Sequence, residues 1–135
     1  MNTKPFLSLT DVKSMAAAAE AEAVNNQWVV TIAIVDDGGH LLWLQRLDGA
    51  APVSAEIATA KARTAAVGRR ESKVYEDMIN QGRTAFLSAP SLRGMLEGAV
   101  PIMVDGQCVG AVGVSGVKSS EDAQTARAGI AALKV

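Results

Sequence analysis

An α+β domain is expected, built on a mainly antiparallel sheet with helices on its faces. Three observations predict it. Two turn signals, Asp37-Gly38-Gly39 and Asp105-Gly106, each lie between runs of β-branched and apolar residues, the pattern of a hairpin and not of a crossover. The first pair of strand-like runs has no polar face, so that part of the sheet must be covered on both sides. Alanine-rich stretches at helical spacing separate the hairpins and supply the cover. At 135 residues the chain corresponds to a single domain, 1–135, able to bury about two-thirds of its unfolded surface without disulfides.

Ser8 followed by Asp11 has the form of a capping box, with a carboxylate three residues beyond a hydroxyl cap. The alanine-rich stretch after it predicts a helix whose inner stripe is Val12, Met15, Ala16, Ala19 and Ala23, ending at Asn25-Asn26. Trp28 to Val35 and Leu41 to Leu47 form the first hairpin, both strands apolar on both sides. Pro52 and Ser54 announce the second helix, with Ser54 as its N-cap and Ile57, Ala58, Lys61, Ala62 and Ala65 on one stripe. Gly68 ends it, and Ser72 caps a shorter helix bearing Val74, Tyr75, Met78 and Ile79. Residues 81–98 are punctuated by Gly82, Pro90, Gly94 and Gly98, with room for one short strand of unfixed position. Val100 to Val104 and Gln107 to Ser115 make the second hairpin, where Gly110, Ala111 and Gly113 mark close approach by another backbone or by a ligand. Ser119 and Asp122 suggest a capping box for a last helix reaching about Leu133.

Composition narrows function. Thirteen basic and fourteen acidic residues leave a net charge of -1, which gives no electrostatic footprint for nucleic acid or an anionic membrane. Aromatic residues are 4% of the chain, too few for a single-strand stacking platform. No apolar run approaches the ~20 residues of a spanning helix, and Met1 to Leu9 is too short and broken to be a secretory signal; a cytoplasmic protein is expected. One cysteine excludes a disulfide framework and multi-cysteine metal sites.

The segment GAVGVSGVKSS fails three motif tests on spacing. It lacks the four-residue gap of a phosphate-binding P-loop, the G-x-G-x-x-G of a dinucleotide fold and the G-x-S-x-G of a nucleophile elbow. What survives is an anion-binding candidate, in which Ser115, Gly116 and Lys118 precede the free amides of a helix start; the plainer reading is a turn whose amides are capped by Ser119. His40, the sole histidine, is either a half-solvated residue at a strand start or an axial imidazole to an iron centre. Lys61 lies within an apolar stripe, so its ammonium snorkels outward, joins an ion pair or recognises an anion. Arg46 and Asp36 are read first as ion-pair partners, and Cys108 as a small buried hydrophobe. Asp36 and Asp37, being adjacent on a strand, point to opposite faces and make a poor acid–base pair. No nucleophile–base pair is visible.

The blocks VVTIAIVDDGGHLLWLQRLDGA, SAEIATAKARTA and GAVPIMVDGQCVGAVGVSG, in this order from about Leu7 to Leu133, resemble the GlcG/HbpS family of small haem-binding or haem-degrading proteins. That family also includes the C-terminal domain of PduO proteins. The resemblance implies a profilin-like fold with a five-stranded antiparallel sheet, assembly into dimers or octamers, and haem as cofactor, with at most slow haem degradation. It further implies an accessory role in glycolate or in diol and glycerol metabolism. His40 would then ligate iron, and Arg46 and Lys61 would pair the carboxylates of the cofactor. Sheet faces filled by helices leave little room for a large planar ligand inside a 14.0 kDa domain, which would place it between subunits. The rival readings are a sensor or enzyme for a small carboxylate, using Lys61 and the Gly116 loop, and a purely structural assembly partner.

Overall fold

The computed structural model describes residues 1–135. The first helix, α1 (Leu9–Asn25), starts where the capping box places it. The Ser8 hydroxyl accepts the Asp11 N–H at 3.1 Å, and the Asp11 carboxylate accepts the Ser8 N–H at 2.8 Å. These bonds from Ser8 hold the Asp11 carboxyl below its ordinary pKa. Strands β1 (Thr31–Asp36) and β2 (Leu41–Arg46) follow, then α2 (Val53–Gly68), α3 (Ser72–Asn80) and a short 3-10 helix over Thr84–Ser88. Strands β3 (Ala99–Val104) and β4 (Gln107–Ser115) precede α4 (Ser119–Ile130). No helix is long and apolar enough to cross a membrane.

The sheet has four strands in the order β2-β1-β4-β3, every neighbouring pair antiparallel. The expected fifth strand is absent. Residues 81–98, where it had room to form, instead hold the 3-10 helix and irregular chain, because their backbone is anchored sideways. The Thr64 hydroxyl of α2 donates to the Arg93 carbonyl at 3.0 Å, and Phe86 packs on Tyr75 of α3 with ring centroids 5.4 Å apart. Both hairpins form where expected, although of the two glycines in the first turn only Gly39 has a positive φ, +82°. Asp105 and Gly106 have φ of +50° and +76°, the two positive values that a tight primed turn requires.

Helices cover both faces. On one, Val12, Met15 and Ala19 of α1 and Ala126 of α4 pack on Ile32, Ile34, Val112 and Val114. On the other, Ala58, Ala62, Ala65 and Ala66 of α2 meet Ala33, Val35, Ala99 and Ala111. An alanine-on-alanine layer is thin, and Gly113 makes it thinner. A Cβ at Gly113 would stand 2.4 Å from the Ala58 carbonyl oxygen and 2.7 Å from the Ala62 nitrogen. Gly113 therefore marks the approach of a helix backbone, one of the two alternatives the sequence left open, while Gly110 lies against the Val35 carbonyl of the neighbouring strand and the Leu7 side chain.

Four local expectations are corrected. β2 is not covered on both sides; it is an edge strand that α2 covers only in part, with Leu41 and Leu44 49% and 46% exposed. Ser54 is not a cap but a buried residue inside α2, donating to the Ala51 carbonyl at 2.6 Å and sharing a hydrogen bond with Thr31 at 2.7 Å. Ser72 is the first residue of α3, where its hydroxyl accepts the Ala99 N–H at 3.0 Å and ties α3 to β3. At the last helix Lys118, not Ser119, occupies the cap position, and the helix ends at Ile130.

Gly113→Ala should lower the unfolding free energy by about 3 kcal/mol, since overpacking here is resisted by backbone and not by a movable side chain. Urea titration checks this; a loss below about 0.5 kcal/mol, the range of an ordinary surface change, would show that α2 moves away freely.

Candidate functional site

The first hairpin turn is organised by one carboxylate. Asp36 Oδ1 accepts the N–H groups of Gly38 and His40, each at 2.9 Å, and lies 3.2 Å from His40 Nδ1. Gly39, at φ +82°, presses on Arg63 and Val67 of α2, which fixes the turn against that helix. The imidazole is therefore tethered through one nitrogen while 77% of its side chain faces solvent, and Nε2 is the nitrogen left to meet a ligand. Lys4 and Arg69 brace the same turn through Asp37, whose carboxyl the Lys4 ammonium at 2.8 Å holds below its ordinary pKa.

Lys61 lies elsewhere. Its side chain is buried, and its ammonium donates to Asp122 Oδ2 at 3.0 Å and to the Val114 carbonyl at 3.1 Å. Gly98 makes the space: a Cβ there would fall 2.6 Å from Lys61 Nζ. Of the readings open for Lys61, its surroundings satisfy the ion pair, and no face is left for an external carboxylate. Asp122 also accepts the Val117 N–H at 3.2 Å. Burial pushes its carboxyl above the usual range, against the lowering pull of Lys61.

At the turn of Ser115, Gly116 and Lys118, two of the amides are already engaged by the chain's own carboxylates. The Lys118 N–H donates to Glu121 at 3.3 Å, the Val117 N–H goes to Asp122, and the Ser119 hydroxyl donates to Glu97 at 3.2 Å. Gly116 is required because a Cβ would lie 2.5 Å from the Val29 carbonyl oxygen. Glu121 and Asp122, not the Ser119 hydroxyl, accept the Lys118 and Val117 amides. Cys108 is buried, its sulfur 3.3 Å from the Gly110 carbonyl oxygen. Arg46 stands exposed at the end of β2 opposite to His40, roughly 20 Å along the strand. His40, Arg46 and Lys61 therefore do not converge within one protomer.

A groove that the sequence did not reveal lies beside β2. It has a volume of about 690 Å³, walled by Leu44 of β2, by Ala55, Glu56, Thr59, Ala60 and Arg63 of α2, and by Ser91 and Arg93 of the irregular segment. The spacing of Glu56, Ala60 and Arg63 along one face of α2 is visible in the sequence. Arg93 and Ser91 fall in its least legible stretch, so the facing wall is not.

Comparison with known proteins decides the family. A family model described as haem degrading protein HbpS-like matches residues 7–131. This chain is a member of the HbpS-like family. Protein GlcG of Escherichia coli K12 is 57% identical over 115 residues, 85% of each chain. The crystal structure of a double mutant of Streptomyces reticuli HbpS is 31% identical and superposes with a TM-score of 0.89, covering 100% of this chain and 92% of that one. A PduOC complex with haem is 28% identical with a TM-score of 0.89, covering 97% of each chain. The two solved structures share the fold described above.

Removing one member of the buried pair should be worse than removing both. Lys61→Met leaves the Asp122 carboxylate enclosed without its cation and is expected to cost about 3–5 kcal/mol. The double variant Lys61→Met with Asp122→Leu should recover most of that loss. A double-mutant cycle in urea checks it, and additive single losses would show that the two charges act independently.

Proposed function

We propose that this chain is a self-associating accessory protein that binds haem or a related tetrapyrrole in glycolate or diol and glycerol metabolism. The observation that carries the reading is His40: a solvent-facing imidazole, oriented by Asp36 through Nδ1, at the end of an exposed apolar edge strand. The matching family description and the haem complex of PduOC support haem binding.

The donor chemistry fits the group. Haem, when bound, would supply an iron able to take a nitrogen ligand. The chain's part is to hold the imidazole. Asp36 accepts at Nδ1, which fixes the ring and leaves the Nε2 lone pair directed away from the turn. Leu41 and Leu44 offer apolar surface next to it. Arg46 stands at the other end of β2 from His40, and its pairing with a cofactor carboxylate would fall across a subunit boundary. The unpaired backbone of β2 favours such a boundary, since an open apolar edge is a template for another chain. The reading that uses Lys61 and the Gly116 loop for a small carboxylate is weakened, because Lys61 is paired with Asp122 and the Val117 and Lys118 amides are engaged internally.

Titrating haem into the protein should give a shifted Soret band whose position His40→Ala alters. No spectral change at micromolar haem would remove the reading. Light scattering should report a mass above 14.0 kDa, and a lone protomer would remove the self-association.

A further inference from the structure

Arg63 and Arg93 face one groove, and neither guanidinium has a partner in the protein: no ion pair or side-chain hydrogen bond engages either head. Glu56 is the one carboxylate in the same lining, so the groove carries an excess positive charge. Unspent guanidinium donors beside an apolar wall are the chemistry of carboxylate recognition, since the planar fork matches the two oxygens of the acid.

The two arginines are held there by the backbone. Thr64, buried in α2, fixes the Arg93 carbonyl at 3.0 Å. The next residue, Gly94, lies at φ +78° with its Cα against α2, where a Cβ would fall 2.7 Å from the Ala60 carbonyl carbon and 2.8 Å from the Lys61 nitrogen. Ser91, two residues before Arg93, is also left-handed at φ +64°, a conformation that costs free energy in a non-glycine residue. Across the groove, the stem of Arg63 rests against Gly39 of the hairpin turn. Arg93 also borders a second, more apolar groove of about 400 Å³ lined by Ile79, Leu87, Leu92 and Met95. A carboxylate at Arg93 could thus carry an apolar body on either side.

We propose that Arg63 and Arg93 form a recognition site for the carboxylate of an organic ligand with an apolar body. The site is independent of iron and of His40. Two sources share that chemistry, a free small acid and a propionate side chain of a tetrapyrrole, and metal-free probes tell them apart.

The full-length chain is titrated with protoporphyrin IX, with its dimethyl ester and with benzoate, following fluorescence and thermal shift. The wild type should bind protoporphyrin IX or benzoate. Arg63→Gln and Arg93→Gln should each weaken binding by about tenfold, and the lysine variants by less. The ester should bind weakly to all of them. Preference for protoporphyrin IX over benzoate assigns the propionate, and the reverse assigns the small acid. Failure of both acids to bind, equal binding by the double glutamine variant, or equal binding of acid and ester would overturn the site. Because iron is absent, a failed Soret titration with intact acid binding would remove only the haem reading.

Discussion

The distance between α2 and β4 governs the arrangement of this molecule. Gly113 allows the Ala58 carbonyl to approach where any side chain would intrude, and the alanines around it keep the rest of the layer equally thin. With the helix axis this close to the sheet, a lysine at position 61 cannot lie flat between the layers. It extends past Gly98 to the end of β4 and finds Asp122 of the helix on the opposite face. The same placement turns Glu56, Thr59, Ala60 and Arg63 away from the core, where they form one side of the groove. A bulkier interface would shift all of these together.

The Lys61–Asp122 pair links the two helical layers around the sheet. Its contribution is specificity more than strength. Taking both charges out of water costs several kcal/mol, which their attraction and the bonds from Val114 and Val117 roughly offset. What the pair does secure is the register of α4 against β4, because Asp122 also holds the turn at Val117. It explains why a lysine stands in an alanine stripe without any ligand being required.

Local, short-range signals were legible in the sequence. The Ser8–Asp11 box, both hairpin turns and the α+β class follow from residues three or four apart or from period-two patterns, and the structure contains them. Partners distant in the chain were not. Nothing near Lys61 points to Asp122, and nothing near Ser54 or Ser72 shows that their hydroxyls go to Thr31 and Ala99 instead of capping helices. The missing fifth strand has the same origin: residues 81–98 are organised by Thr64 and Tyr75, which belong to other elements. His40 draws attention in the sequence because it is the only histidine; the arginine-lined groove does not, because part of its wall lies in that irregular segment.

The strand order has a consequence for how the chain reaches this state. Each hairpin joins neighbours in sequence and can close as soon as it is made. The ladder between β1 and β4, by contrast, matches Thr31 with Ser115 and Asp36 with Gly110. During translation the centre of the sheet therefore waits, its inner strand half-partnered, until β4 itself has emerged. Long-range pairing of this kind slows folding and prolongs exposure of sticky intermediates.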